Sequence, residues 1–315
     1  MDRVPALFIE SVCLRFYDRQ SLRRSAEIGS LWGKITTVSQ AKIYTLRVRV
    51  DPTEGKLYAA AQKVHCWDHR RAVPLDRVDL TSITNFRIDD VSYGDPLPSS
   101  WREISLDELG RLARFIRPTG YERRPICYTH AGSNRLRLTL SANNSITGKL
   151  ISLRLPVDSI SLSIYGGNEA EVEEFFAHAG PLYDVSIIYG SRTRSTLKQS
   201  TVDMIIDKYV PAHHGGLRLD RPMTREQLER LVVKCEMSGE QIGVDVVPEE
   251  STKSLDATEL FDCDKYQYST KKVEPGELHA IREGGTLFLN VLHGLFGSTE
   301  WIWSDIEVFQ SDVSE

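Results

Sequence analysis

The residue types best suited to chemistry gather in two short stretches. His213-His214 precede Gly215-Gly216, a pair of imidazoles in a turn between a helix and a strand. Imidazole titrates near neutral pH, so such a pair suits proton transfer, metal ligation or plain contact with helix-end carbonyls. His65 followed by Cys66-Trp67-Asp68-His69 packs borderline-soft ligands closely enough to contribute to a zinc site. No second Cys or His cluster exists to complete a tetrahedral shell, so no metal is expected. The acid pairs Asp89-Asp90, Glu173-Glu174 and Glu249-Glu250 are read as solvated charge in loops or on polar helix faces. Paired carboxylates do acid–base work only when they converge in space with shifted pKa values. The sequence has no G-x-x-x-x-G-K-S/T loop, no G-x-G-x-x-G after a strand and no G-x-S-x-G elbow. No catalytic residue, cofactor or metal is assigned, and the chain is not read as an enzyme. A hydrolase built on His213, His214 and nearby acids stands as a lesser alternative.

Composition narrows the partners. The chain has 315 residues, 41% hydrophobic and 26% charged, with a net charge of −5. This is enough apolar material for a real core. The acidic balance, with Lys and Arg interspersed among Asp and Glu, argues against a nucleic-acid partner. The five cysteines, Cys13, Cys66, Cys127, Cys235 and Cys263, are scattered and form no C-x-x-C pair. They are expected to be reduced thiols of a cytoplasmic or nuclear protein. Asp2, Arg3 and Glu10 interrupt the first apolar residues, so no signal peptide is expected. No run reaches the roughly 20 apolar residues that span a bilayer, so no membrane partner is expected either.

The elements that would position side chains come in two parts. Residues 1–39 read as helical: Pro5 suits a first turn, and Leu7, Phe8, Val12 and Phe16 recur at three- and four-residue steps. Leu22, Ala26 and Leu31 continue a second helix, which Gly29-Ser30 break before Trp32. From Ile43 the period falls to two, giving a strand to Val50, a turn over Asp51–Gly55 and a return strand over Leu57–Val64. The stretch up to Trp101 is turn-rich and receives no assignment. Ser105, with Glu108 three residues on, starts a helix that Pro118 ends.

Beyond it, strands are expected at Leu136–Leu140, Ile151–Leu155, Ile160–Ile164, Val185–Tyr189, Leu217–Asp220 and Ile242–Val246. Helices are expected from Asn168, over Ser195–Tyr209 and after a Thr224–Gln227 cap. Strand–helix units of roughly 25–30 residues suit a leucine-rich-repeat-like core over residues 130–250. A compact α/β sheet with right-handed crossovers gives much the same pattern. After acidic turns from Lys253, strands at Gly285–Leu292, Trp301–Trp303 and Ile306–Phe309 close the sheet. The expected fold is therefore α+β or α/β, with a helical module at 1–39 and a mixed domain at 40–315.

The helical opening can be compared with a family. Val4-Pro5, Leu7-Phe8-Ile9-Glu10, Val12, Phe16, Leu22, Trp32 and Ile35 resemble the F-box, in particular the divergent forms of large nematode families. Val4 stands for the usual leading Leu, and Ser21-Leu22 for the usual Asp-Leu. The resemblance covers about a tenth of the chain. It implies a trihelical module docking on a Skp1-like adaptor of a cullin ubiquitin ligase, with the C-terminal domain recruiting an unknown protein substrate. It also implies docking through Pro5, Leu7, Phe8, Val12, Leu22 and Trp32. From the residues alone, a cap packed on the following sheet, in a free-standing interaction domain, remains the alternative.

Overall fold

In the computed structural model, the described residues are 4–14, 19–63, 68–90, 97–116, 128–142, 144–190, 197–249, 261–274, 277–283, 287–293 and 297–305. The chain divides into two units, Met1–Leu162 with His178–Gly180, and Ser163–Ala177 with Pro181–Glu315. It is mixed α/β.

The first unit opens with helices α1 (Ala6–Leu14), α2 (Arg19–Ala26) and α3 (Leu31–Lys42). The Pro5 carbonyl accepts from the amides of Phe8 and Ile9, as a first-turn proline allows. Ser30 caps α3, its hydroxyl accepting from the Trp32 amide at 3.2 Å. Ile9 and Cys13, one helical turn apart, bury against Leu22 and Ile43, with Val4, Leu14, Trp32 and Ile35 around them. Each such buried aliphatic side chain stabilises by about 1.5–3 kcal/mol. Gly33 is required where α3 meets the preceding turn, because a Cβ there would lie 2.0 Å from the Ile28 carbonyl oxygen.

Strands β1 (Tyr44–Asp51) and β2 (Lys56–Lys63) form an antiparallel hairpin. Its turn is held by Asp51 Oδ1, which accepts from the amides of Thr53 and Glu54, and by Gly55 at φ 65°. Strand β3 (Ile83–Asp90) runs parallel to β1. Strand β4 (Arg102–Ile104) pairs with β2. After α4 (Leu106–Ile116), β5 (Arg135–Leu140) pairs parallel with β3, giving the order β5-β3-β1-β2-β4. The Ser105 hydroxyl accepts from the Glu108 amide at the expected start of α4. Leu46, Val48, Val50, Phe86, Ile88, Leu136 and Leu138 are buried on one sheet face.

Three sequence expectations change here. Strand β3 lies in the stretch that received no assignment. Asp89 and Asp90 consequently belong to a strand rather than a loop. Ile151–Leu155 does not form a strand, because helix α5 (Ser145–Ser152) occupies its start. Ile146 and Leu150 bury at helical spacing, and the Leu153 amide donates back to Lys149 and Leu150. The apparent alternation only straddles the helix end, where Arg154 turns left-handed at φ 49°. Strand β6 (Ser159–Ile164) follows as expected, and the division between units falls within it.

The second unit continues with α6 (Glu169–His178), β7 (Asp184–Tyr189), α7 (Gln199–Lys208), β8 (Gly216–Met223), α8 (Arg225–Ser238) and β9 (Ile242–Pro248). Helix α8 begins at the expected cap. Thr224 Oγ1 accepts from the Gln227 amide while the Gln227 side chain accepts from the Thr224 amide. Gly239, at φ 66°, ends it. Strands β7, β8 and β9 are parallel neighbours. Strands β10 (Tyr268–Glu274), β11 (Glu277–Arg282), β12 (Leu287–His293) and β13 (Thr299–Asp305) form an antiparallel meander that joins through β13 to β9. The expected strands near residues 285–292 and 301–303 correspond to β12 and β13. Strands β10 and β11 arise where only acidic turns were expected. Pro118 and Ile306–Phe309 lie outside the described residues.

A buried carboxylate ties α8 to this meander. Glu236, 1% exposed, accepts from Tyr268 Oη at 2.7 Å and from Trp303 Nε1 at 2.8 Å, and Arg282 Nη1 stands 3.5 Å from its other oxygen. Burial and this hydrogen bond hold the Tyr268 phenol well above its ordinary pKa. Burial does the same to the adjacent Cys235 thiol, which therefore stays protonated and unreactive.

Candidate functional site

Helices α1 to α3 enclose their own small core, and what they leave outside decides their use. With Ile9 and Cys13 turned inward, the helical period turns Leu7 and Phe8 out. Leu7 is 79% exposed and Phe8 55%. On α3, Leu31 and Val38 are seven residues apart and share a stripe, and both are exposed; so is Ile28 in the turn before it. Of the large hydrophobics exposed among the described residues, Leu7, Phe8, Ile28, Leu31 and Val38 belong to this module. Leu80, Phe115, Tyr165, Val233 and Met237 make up the others. Half of these exposed apolar side chains thus lie on about forty residues.

The residues singled out from sequence separate into two groups. Pro5, Leu7 and Phe8 face outward, and Val12 is half-buried beside them. Leu22 is fully buried in the module's own core, and Trp32 packs against that core with part of its surface exposed. Phe16 lies outside the described residues. Ile28, Leu31 and Val38 were not singled out for docking; the seven-residue spacing of Leu31 and Val38 was the signal that could have found that stripe. Beside Leu7 a cleft of about 570 Å³ opens between α1, the end of α3 and residues 77–82. Lys42 Nζ reaches Glu10 Oε1 at 3.2 Å at its edge. Asp79 Oδ1 accepts from the Thr81 amide, which lowers the pKa of its carboxyl.

The histidine pair takes a different setting. The rings of His213 and His214 lie 4.0 Å apart in the turn before β8, with His214 left-handed at φ 63°. Burial and the neighbouring ring lower the pKa of His214. Gly215 is needed there, since a Cβ would meet the Tyr183 carbonyl oxygen at 2.2 Å. Residues 65–67 of the other stretch lie outside the described residues. Among the described residues, no three His, Cys, Asp or Glu side chains converge as metal ligands, and no helix is long and apolar enough to cross a membrane. The acid pairs are engaged locally: Asp89 with Arg47 at 3.0 Å, Glu173 with Lys198 at 2.6 Å, and Glu249 with Gln199 at 3.1 Å.

No protein-family model, no curated protein and no solved structure matches this chain.

Proposed function

We propose that the N-terminal helices dock a Skp1-like adaptor, and that the rest of the chain recruits a protein substrate to a cullin ubiquitin ligase. The observation carrying this reading is the outward placement of Leu7 and Phe8 on a module whose core is already closed by Ile9, Cys13, Leu22 and Ile43. Helices that merely capped the sheet would spend their Leu and Phe on it. Here those side chains are left for another surface. With Pro5, Leu31 and Val38 they supply anchors of the kind that carry helix-mediated interfaces. The F-box resemblance names the adaptor. The strand–helix alternation from β5 to β9 suits a leucine-rich-repeat-like recognition domain.

Calorimetric titration of the full chain with purified Skp1-like adaptor tests the proposal. The unaltered chain is expected to bind, and the Leu7→Ala/Phe8→Ala double variant to bind at least about tenfold more weakly. Its thermal melt should be unchanged, because both side chains are exposed. Absence of binding by the unaltered chain would sink the adaptor role.

A further inference from the structure

In the first unit, the sheet face opposite Leu46, Val48, Phe86 and Ile88 carries a row of arginines. Register sets Arg47 of β1 beside Arg87 of β3, and Arg87 beside Arg135 of β5. One rung further along the same face stand Arg49, Asp89 and Arg137. Neighbouring strands lie about 4.8 Å apart, so these guanidiniums are held at close range.

Among the described residues, the negative charge at hand is small. Asp89 Oδ2 accepts from Arg47 Nη2 at 3.0 Å, and Arg49 Nη1 donates to the Asp90 main-chain oxygen at 3.3 Å. The Asp90 carboxylate is turned to the Thr139 amide. The Nε atoms of Arg47, Arg49 and Arg135 are buried with no hydrogen-bond partner among the described residues. Burial, then the Arg47 charge, pushes Arg87 down to about 10, so it remains protonated at neutral pH. Apolar side chains of similar size would pack on this face without repulsion or stranded donors. A fold retains such a row where its charge has a use.

We propose that Arg47, Arg87 and Arg135 form a binding site for a phosphate group, carried by a small phosphomonoester or by a phosphorylated side chain. The planar guanidinium fork matches tetrahedral oxyanions, and one dianion neutralises two neighbouring arginines at once. Arg87 forms the buried floor, Arg135 is half-exposed and Arg137 is open to solvent, so the phosphate enters from the β5 side. The site is independent of adaptor docking.

The test is a set of thermal melts and calorimetric titrations of the full chain. The probes are inorganic phosphate, phosphoserine, and a phosphoserine peptide with its unphosphorylated twin, each against sodium chloride at matched ionic strength. Phosphate is expected to raise the melting temperature in proportion to occupancy, and Arg135→Gln to weaken binding about tenfold. Arg87→Met should lose the phosphate response. A stronger response to the phosphopeptide than to phosphoserine assigns the group to a protein partner; an equal one assigns it to a small metabolite. A response matched by chloride, or retained in Arg135→Gln, overturns the proposal.

Discussion

Glu236 is the side chain whose loss should be felt furthest from its own position. Its carboxylate serves two buried donors, Tyr268 Oη and Trp303 Nε1, and each loses its partner if the acceptor goes. Glu236→Ala is therefore expected to cost about 2–4 kcal/mol, with Glu236→Gln costing less because one acceptor oxygen survives. Urea unfolding followed by tryptophan fluorescence measures both. A loss under ~1 kcal/mol for the alanine variant would mean that water reaches the freed donors. Glu236 drew no notice in the sequence because its partners lie 32 and 67 residues away. The arginine row was half legible. The two-residue alternation of Arg47 with Arg49 announced a strand, but pairing with Arg87 and Arg135 is non-local, and no pattern within one strand reveals it.

At the scale of elements, the N-terminal module rests on one close approach. Gly33 lies beneath the Ile28 and Ala26 carbonyl oxygens, at 2.0 and 3.0 Å from where a Cβ would sit. Gly33→Ala gains helix propensity worth about 1 kcal/mol, yet must push α3 off the preceding turn. The displacement is expected to prevail, with a net loss of about 1–3 kcal/mol and faster amide exchange in α2 and α3. Hydrogen exchange resolved by mass spectrometry checks this, and unchanged exchange in α2 would show that the turn yields freely. Elements with local punctuation were readable: Ser105 before α4, and Thr224 with Gln227 at α8. Those whose identity depends on covering layers were not. Strand β3 carries Asn85, Arg87 and Asp89 on one side and resembled a polar loop, though Asn85 and Arg87 are buried. Helix α5 was hidden because Ile151, Leu153 and Leu155 alternate across its end. The module's outward face was equally illegible: Leu7 and Phe8 share α1 with Ile9 and Cys13, and only packing decides which pair faces inward.

Across the whole chain, order in space departs from order in sequence where it matters for synthesis. Strand β9 receives its second neighbour not from β10, the next strand made, but from β13, the last described one. A growing chain therefore leaves the ribosome with a β9 edge still open, while the β10–β12 meander forms without a strand to attach it. Open edges recruit other chains. The residues that close this one, Trp301 and Trp303, follow β10–β12 in the chain and are almost fully buried. A chain stopped at Ser298 is expected to aggregate under conditions where the full chain stays monodisperse by light scattering, and an equally monodisperse truncated chain would mean the β9 edge is harmless. Strand β13 thus covers an edge that β9 would otherwise leave open. A product that lacks β13 would display that open edge before any partner is asked to bind it.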